Sequence, residues 1–103
     1  MDYHSLPLTR DDVLKLQRVV FQDRGQLPVE SGIYFVLYGE PPERIAYIGK
    51  AKNFQKRWVG HHRIPEFILL TKLYIPVSIA WVVVPIVELE SNEMFLISTF
   101  APR

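Results

Sequence analysis

Tyr34 closes a Gly-Ile-Tyr at residues 32–34, and Tyr47 opens a Tyr-Ile-Gly at residues 47–49. Behind the second tripeptide runs a basic segment holding Lys50, Lys52, Lys56, Arg57, His61, His62 and Arg63. Phenols on paired strands followed by cations on a helix make a site for a phosphate group. A guanidinium grips phosphate oxygens in a fork, an ammonium neutralises them as a point charge, and a phenol hydroxyl holds a water or an oxygen. A tyrosine of ordinary pKa, about 10, is a poor base at neutral pH. Either Lys50 and Arg57 lower that value and His61 removes the proton, or Tyr34 only orients a water. Singly, each residue has a plainer reading. The tyrosines serve as core aromatics of a hairpin, and the cations form a solvated helix face. Adjacent helical side chains diverge by about 100°, so His61 and His62 do not read as a shared metal site, and His62 reads as a surface residue or a phosphate neighbour. The stretch GKAKN lacks the spaced glycines and terminal Gly-Lys-Ser/Thr of a nucleotide-binding loop.

A carboxylate stands apart from this cluster. Wound as a helix, residues 87–100 bring Leu89, Glu93, Leu96, Ile97 and Phe100 to one side. An acid inside an apolar stripe needs a cation, a metal or a donor. One carboxylate is enough to anchor a single Mg²⁺ or Mn²⁺, since such an ion keeps several waters and takes phosphate oxygens as ligands. The plainer reading, a partly exposed glutamate at the edge of the stripe, stands beside it.

The elements that must position these groups follow from pattern. Residues 1–8 read as an extended arm. Thr9 caps a helix over residues 11–21, with Asp11 and Asp12 in its first turn and Val13, Leu16 and Val20 at helical spacing. Residues 32–38 read as a strand with Tyr34, Val36 and Tyr38 on one face and Ile33, Phe35 and Leu37 on the other. Pro41 and Pro42 enforce a turn, and residues 44–48 return antiparallel, with Gly49 bending the chain out of the sheet. Asn53 caps a helix over 54–62, on which Arg57 and His61 share a face. A second helix spans 65–73, a central strand 75–84, and a last helix 87–100, ended by Pro102. The expected fold is α/β: a small, mainly antiparallel sheet of about three strands flanked by helices, with the 32–49 hairpin at its centre. Residues 1–31 form the arm and supporting helix, and 32–103 the functional unit, within one compact domain.

Bulk properties fit one soluble domain of 103 residues with 49% hydrophobic and 22% charged residues. There is no cysteine, which excludes a disulfide framework and thiolate metal sites and fits a reducing, intracellular setting. Net charge is only +1, so a nucleic-acid reading rests on distribution. Residues 44–63 hold Arg44, Lys50, Lys52, Lys56, Arg57 and Arg63 and no acid, which leaves the remainder net acidic. No signal peptide or spanning segment is read, so the expected location is cytoplasmic, away from membranes.

The two tripeptides, Arg57 ten residues after Tyr47, a histidine after it, and the closing EMFLISTFAP together resemble the GIY-YIG nucleases. The segment YIGKAKNFQKR is also similar to the matching stretch of bacterial excision-repair endonucleases, and the likeness runs from Gly32 to Pro102. The resemblance implies an endonuclease that hydrolyses DNA phosphodiester bonds with one Mg²⁺ or Mn²⁺, in a setting such as DNA repair. It implies that Tyr34 helps activate the attacking water, Tyr47 positions that water or the phosphate, and Arg57 holds the phosphate. It implies further that His61 accepts or relays a proton, Lys50 serves at the same site, and Glu93 binds the metal. Lys52, Lys56, His62 and Arg63 would face the DNA. The family usually places an Asn shortly after the proline, whereas this sequence stops at Arg103. Members often carry a separate DNA-binding domain, so specificity is expected from another domain or protein. Two other readings stay open: a non-catalytic nucleic-acid-binding module, and a catalytic domain active only when tethered to a DNA-binding partner.

Overall fold

The structure, a computed structural model, describes residues 9–100. The extended arm at 1–8 and the stop at Pro102 lie outside the described residues. The chain builds a four-stranded sheet in the order β1-β4-β2-β3, all neighbours antiparallel, with helices on both faces. Its strands are β1 (Arg18–Val20), β2 (Gly32–Tyr38), β3 (Arg44–Ala51) and β4 (Val77–Val83). Its helices are α1 (Arg10–Leu14), α2 (Phe54–Arg57), α3 (Ile64–Lys72) and α4 (Leu89–Phe100).

The sheet has one more strand than expected. The helix expected over 11–21 ends at Leu14, although its start is as read: Thr9 and Asp12 form a reciprocal capping box. Val19 and Val20 are β-branched, and pairing Val19 with Ile79 gives them a ladder along β4. Phe21 then enters a 3-10 turn and is buried. The tertiary ladder outweighs the helical spacing of Val13, Leu16 and Val20, and β1 becomes an edge strand.

β2 lies inside the sheet, between β4 and β3, and its alternation is as read. Ile33, Phe35 and Leu37 enter one core with Val13, Ile48, Leu89 and Leu96, under α1 and α4. Tyr34 and Val36 enter the other with Phe21, Phe54, Trp58 and Phe67, under α2 and α3. β3 is the far edge, so the hairpin is off-centre, not central as expected. β3 also runs on through Gly49 to Ala51 without a bend. Gly49 lies opposite Tyr34, and a Cβ there would come within 2.4 Å of the Tyr34 ring. Its missing side chain thus makes room for a phenol. Gly32 plays a similar part: a Cβ on it would lie 2.1 Å from the Val82 carbonyl oxygen and 2.6 Å from the Phe54 ring. In each tripeptide the glycine leaves room for a neighbouring ring, Phe54 at Gly32 and Tyr34 at Gly49.

Among the described residues no helix is long and apolar enough to cross a membrane.

Candidate active site

The basic segment begins as expected, with the Asn53 side chain accepting from the Lys56 N–H at 3.1 Å. The helix it starts is a single turn. Val59 and Gly60 are poor helix formers, and the chain leaves helical geometry at Trp58. His61 and His62 therefore sit on a connecting loop before α3, and the helical spacing expected to pair Arg57 with His61 is not what brings them together. Packing does. Trp58 is buried, and the His61 ring lies flat on it at 4.2 Å between centroids with an 8° interplanar angle.

From there the His61 Nε2 reaches the Tyr34 hydroxyl at 2.8 Å. Both groups are inside, Tyr34 at 1% exposure and His61 at 3%. The other ring nitrogen of His61, Nδ1, accepts the Arg63 backbone N–H at 3.2 Å. Burial, reinforced by the Arg57, His62 and Arg63 charges, pushes the His61 pKa down to about 4, so the ring is neutral at pH 7. A neutral imidazole has one N–H, and with Nδ1 accepting, that proton is on Nε2. His61 thus donates to the Tyr34 oxygen, and the Tyr34 O–H is left to point elsewhere. Burial also raises the Tyr34 pKa well above its ordinary value, against the opposing pull of Arg57, and Tyr34 stays a neutral phenol. The half-buried Tyr47 ring stacks on Tyr34 at 6.0 Å, with the Arg63 guanidinium 5.0 Å from its centroid.

Glu93 approaches from the opposite layer. It extends from α4, on the face where Lys50 points, and a Glu93 carboxylate oxygen lies 3.6 Å from the Lys50 ammonium. After burial, the Arg57 charge is the main influence on the Tyr34 hydroxyl, and the Glu93 charge acts on it more weakly. The Glu93 side chain is 20% exposed, at the margin of the buried stripe. The stripe itself is Leu89, Asn92 and Leu96, whereas Ile97 is exposed.

Tyr34, Tyr47, Arg57 and His61 are thus brought together on one face, and Lys50 and Glu93 pair with each other on the other. Lys52, Lys56 and His62 are exposed beside them. Arg63 is turned inward: it forms a two-pronged ion pair with Glu66 at 2.7 and 2.8 Å, leaving little net charge for a ligand. Asn92, outside the set of expected site residues, is 0% exposed with neither amide atom of its side chain hydrogen-bonded. Its spacing three after Leu89 and four before Leu96 was the available signal.

The residues fit a divalent cation held by one carboxylate. Among the described residues no three His, Asp or Glu side chains cluster around a common point. Glu93 offers a part-exposed hard oxygen, a donor type that suits Mg²⁺ or Mn²⁺ when waters complete the shell.

No family model and no curated protein matches the sequence. A solved structure does resemble it: the GIY-YIG N-terminal endonuclease domain of UvrC from Thermotoga maritima, a tyrosine-to-phenylalanine point mutant bound to its catalytic divalent cation. Identity is 22%, the likeness covers 79% of this chain and 88% of that one, and the TM-score is 0.57. The small four-stranded α/β architecture described above is therefore the fold of the GIY-YIG endonuclease domain.

Proposed function

We propose that the chain is a GIY-YIG nuclease: a divalent-metal-dependent endonuclease that hydrolyses DNA phosphodiester bonds. The observation that carries this reading is the buried Tyr34 hydroxyl, hydrogen-bonded to His61, with Tyr47 stacked on its ring and the Arg57 charge acting on it. The fold match supports it, as does the name of the matching domain. In the net reaction water adds to phosphorus, one P–O ester bond breaks, and a proton from the water ends on the departing oxygen.

Arg57 holds the scissile phosphate, with its fixed charge facing the non-bridging oxygens. Tyr34, kept neutral by burial and with His61 donating to its oxygen, presents its O–H to a phosphate oxygen and does not act as a base. His61 is a positioning residue in this scheme, locked by Arg63 and Trp58. Tyr47 borders the same space and orients the water. Glu93 would hold Mg²⁺ or Mn²⁺, and Lys50 neutralises Glu93 until it does. When bound, such an ion neutralises phosphate charge and acidifies a coordinated water.

The Lys50–Glu93 pair also favours a second reading, a module that binds DNA without cutting it, because the acid already has a cation. A third places the chain as a catalytic domain active when tethered to a DNA-binding partner. Supercoiled plasmid and branched DNA incubated with Mg²⁺, Mn²⁺ or EDTA separate them. Nicking that needs metal supports the nuclease. Salt-dependent binding without nicking supports the module, and weak, sequence-indifferent nicking the tethered domain.

A further inference from the structure

The aromatic packing at the site does not stop at the catalytic tyrosine. Trp58, His61 and His62 form one stack that climbs from the core to the surface. Trp58 and His61 are buried and nearly parallel, at 8°, and His62 continues the column 4.8 Å from His61 at 12°. His62 is exposed, so the column ends at the surface in an imidazole ring. The edge of that ring meets Tyr47 at 6.1 Å. The exposed ammonium groups of Lys52 and Lys56 belong to the same basic segment, whereas Arg63 is neutralised by Glu66. This geometry follows from the short α2. On a continued helix the two histidines would diverge by about 100°, and no stack would form.

We propose that His62 is the stacking platform for an unpaired DNA base adjoining the scissile phosphate, so that the site selects DNA carrying an unpaired nucleotide beside the cut. Every base has a π-face, and in a duplex both faces are covered by neighbours. A base freed by a flap, bulge or single-stranded end offers its face to the last ring of the column. Its phosphate then falls toward Tyr47, Tyr34 and Arg57. Because Trp58 and Phe67 fix His61 from below, the platform is ordered before the base arrives, which limits the entropy lost on binding. This inference deepens the nuclease reading and rests on it for the position of the phosphate.

The test uses the whole chain and hairpin DNA with one unpaired 2-aminopurine, a matching hairpin with an abasic site there, and a blunt duplex. Binding is read in EDTA by titration and by 2-aminopurine quenching, and cleavage in Mg²⁺ on the same substrates. The expected result is that His62→Ala loses quenching and binds the unpaired substrate roughly 5- to 150-fold more weakly. His62→Phe should retain both, and the abasic hairpin should bind wild type as weakly as His62→Ala binds the intact one. Wild-type affinity and quenching in His62→Ala would overturn the proposal. So would equal losses in His62→Ala and His62→Phe, which would assign the effect to charge, or an equal loss on blunt duplex. Quenched, His62-dependent binding without cleavage supports the platform and counts against the nuclease reading alone. Cleavage and binding indifferent to His62 sink the platform and leave the nuclease standing.

Discussion

Tyr34 is poised as a hydrogen-bond donor: its ring is buried against Trp58 and Tyr47, and its oxygen accepts from His61 at 2.8 Å. Tyr34→Phe keeps that packing but removes the O–H donor and, with it, the acceptor of the buried His61 N–H. Plasmid nicking by this variant should fall about 10²–10³-fold, the usual effect of losing one placed donor, and the thermal midpoint should drop by what about 1–3 kcal/mol of lost stability implies. His61 makes a separate prediction. Its pKa is about 4 in the fold against an ordinary 6.5, so between those values the unfolded chain takes up a proton that the fold refuses. Stability is unaffected above about pH 6.5 and falls as pH drops toward 4. The lowered carboxyl groups of Glu43 and Glu66 add their own loss only further down, below their ordinary 4.5. Urea midpoints measured from pH 7.5 to 4.5 should show this limb, and His61→Phe should flatten it. Residue types and spacing marked Tyr34, Tyr47, Arg57, His61 and Glu93 as candidates for the proposed site. The direction of the Tyr34–His61 hydrogen bond was not legible, because it is set by a backbone N–H, that of Arg63, two residues on.

At the scale of elements, periodicity served well where a segment is long and failed where a tertiary ladder competes. The alternation of β2 and the placement of α3 and α4 are as read. The helix expected over 11–21 is not, because half of it has β-branched residues that pair with β4. The single turn of α2 was likewise beyond reach, since Trp58 packing settles where the chain leaves the helix. Gly49 was read as a bend and is instead the gap that admits the Tyr34 ring. Gly49→Ala should therefore destabilise the fold by about 1–3 kcal/mol, in the manner of an overpacked core, and nicking should fall with it as Tyr34 is displaced. Denaturant titration beside the nicking assay checks both. Asn92 gives the opposite expectation. It is buried with both amide atoms unpartnered, so Asn92→Leu, close in volume, should raise stability by about 1–3 kcal/mol. An unchanged or lower midpoint would mean that a bound water or ligand satisfies the amide.

The whole molecule carries a net charge of only +1, with its basic residues gathered between positions 44 and 63. That segment starts on the edge strand β3 and continues through α2 to the loop before α3. Binding driven by it should weaken with salt, and each phosphate contact removed should lower the slope of log K against log salt by about 0.9 on duplex DNA. Lys52→Ala with Lys56→Ala should flatten that slope without touching Tyr34 or Glu93. The broad architecture was legible, because two tripeptides mark two strands of a small sheet and one acid marks the helix packed on it. The wrapping around β3 that the proposed site requires was not, because it depends on which strand ends up at the edge. That wrapping is the centre of the account, and single-turnover nicking of supercoiled plasmid in Mg²⁺ tests it most directly, with Glu93→Ala, Tyr34→Phe and the double variant side by side. If Glu93 and Tyr34 serve one phosphate from opposite faces, each single variant loses most of the rate and the double variant is scarcely worse than either. Wild-type nicking by Glu93→Ala, or losses that simply multiply in the double variant, would contradict a single site.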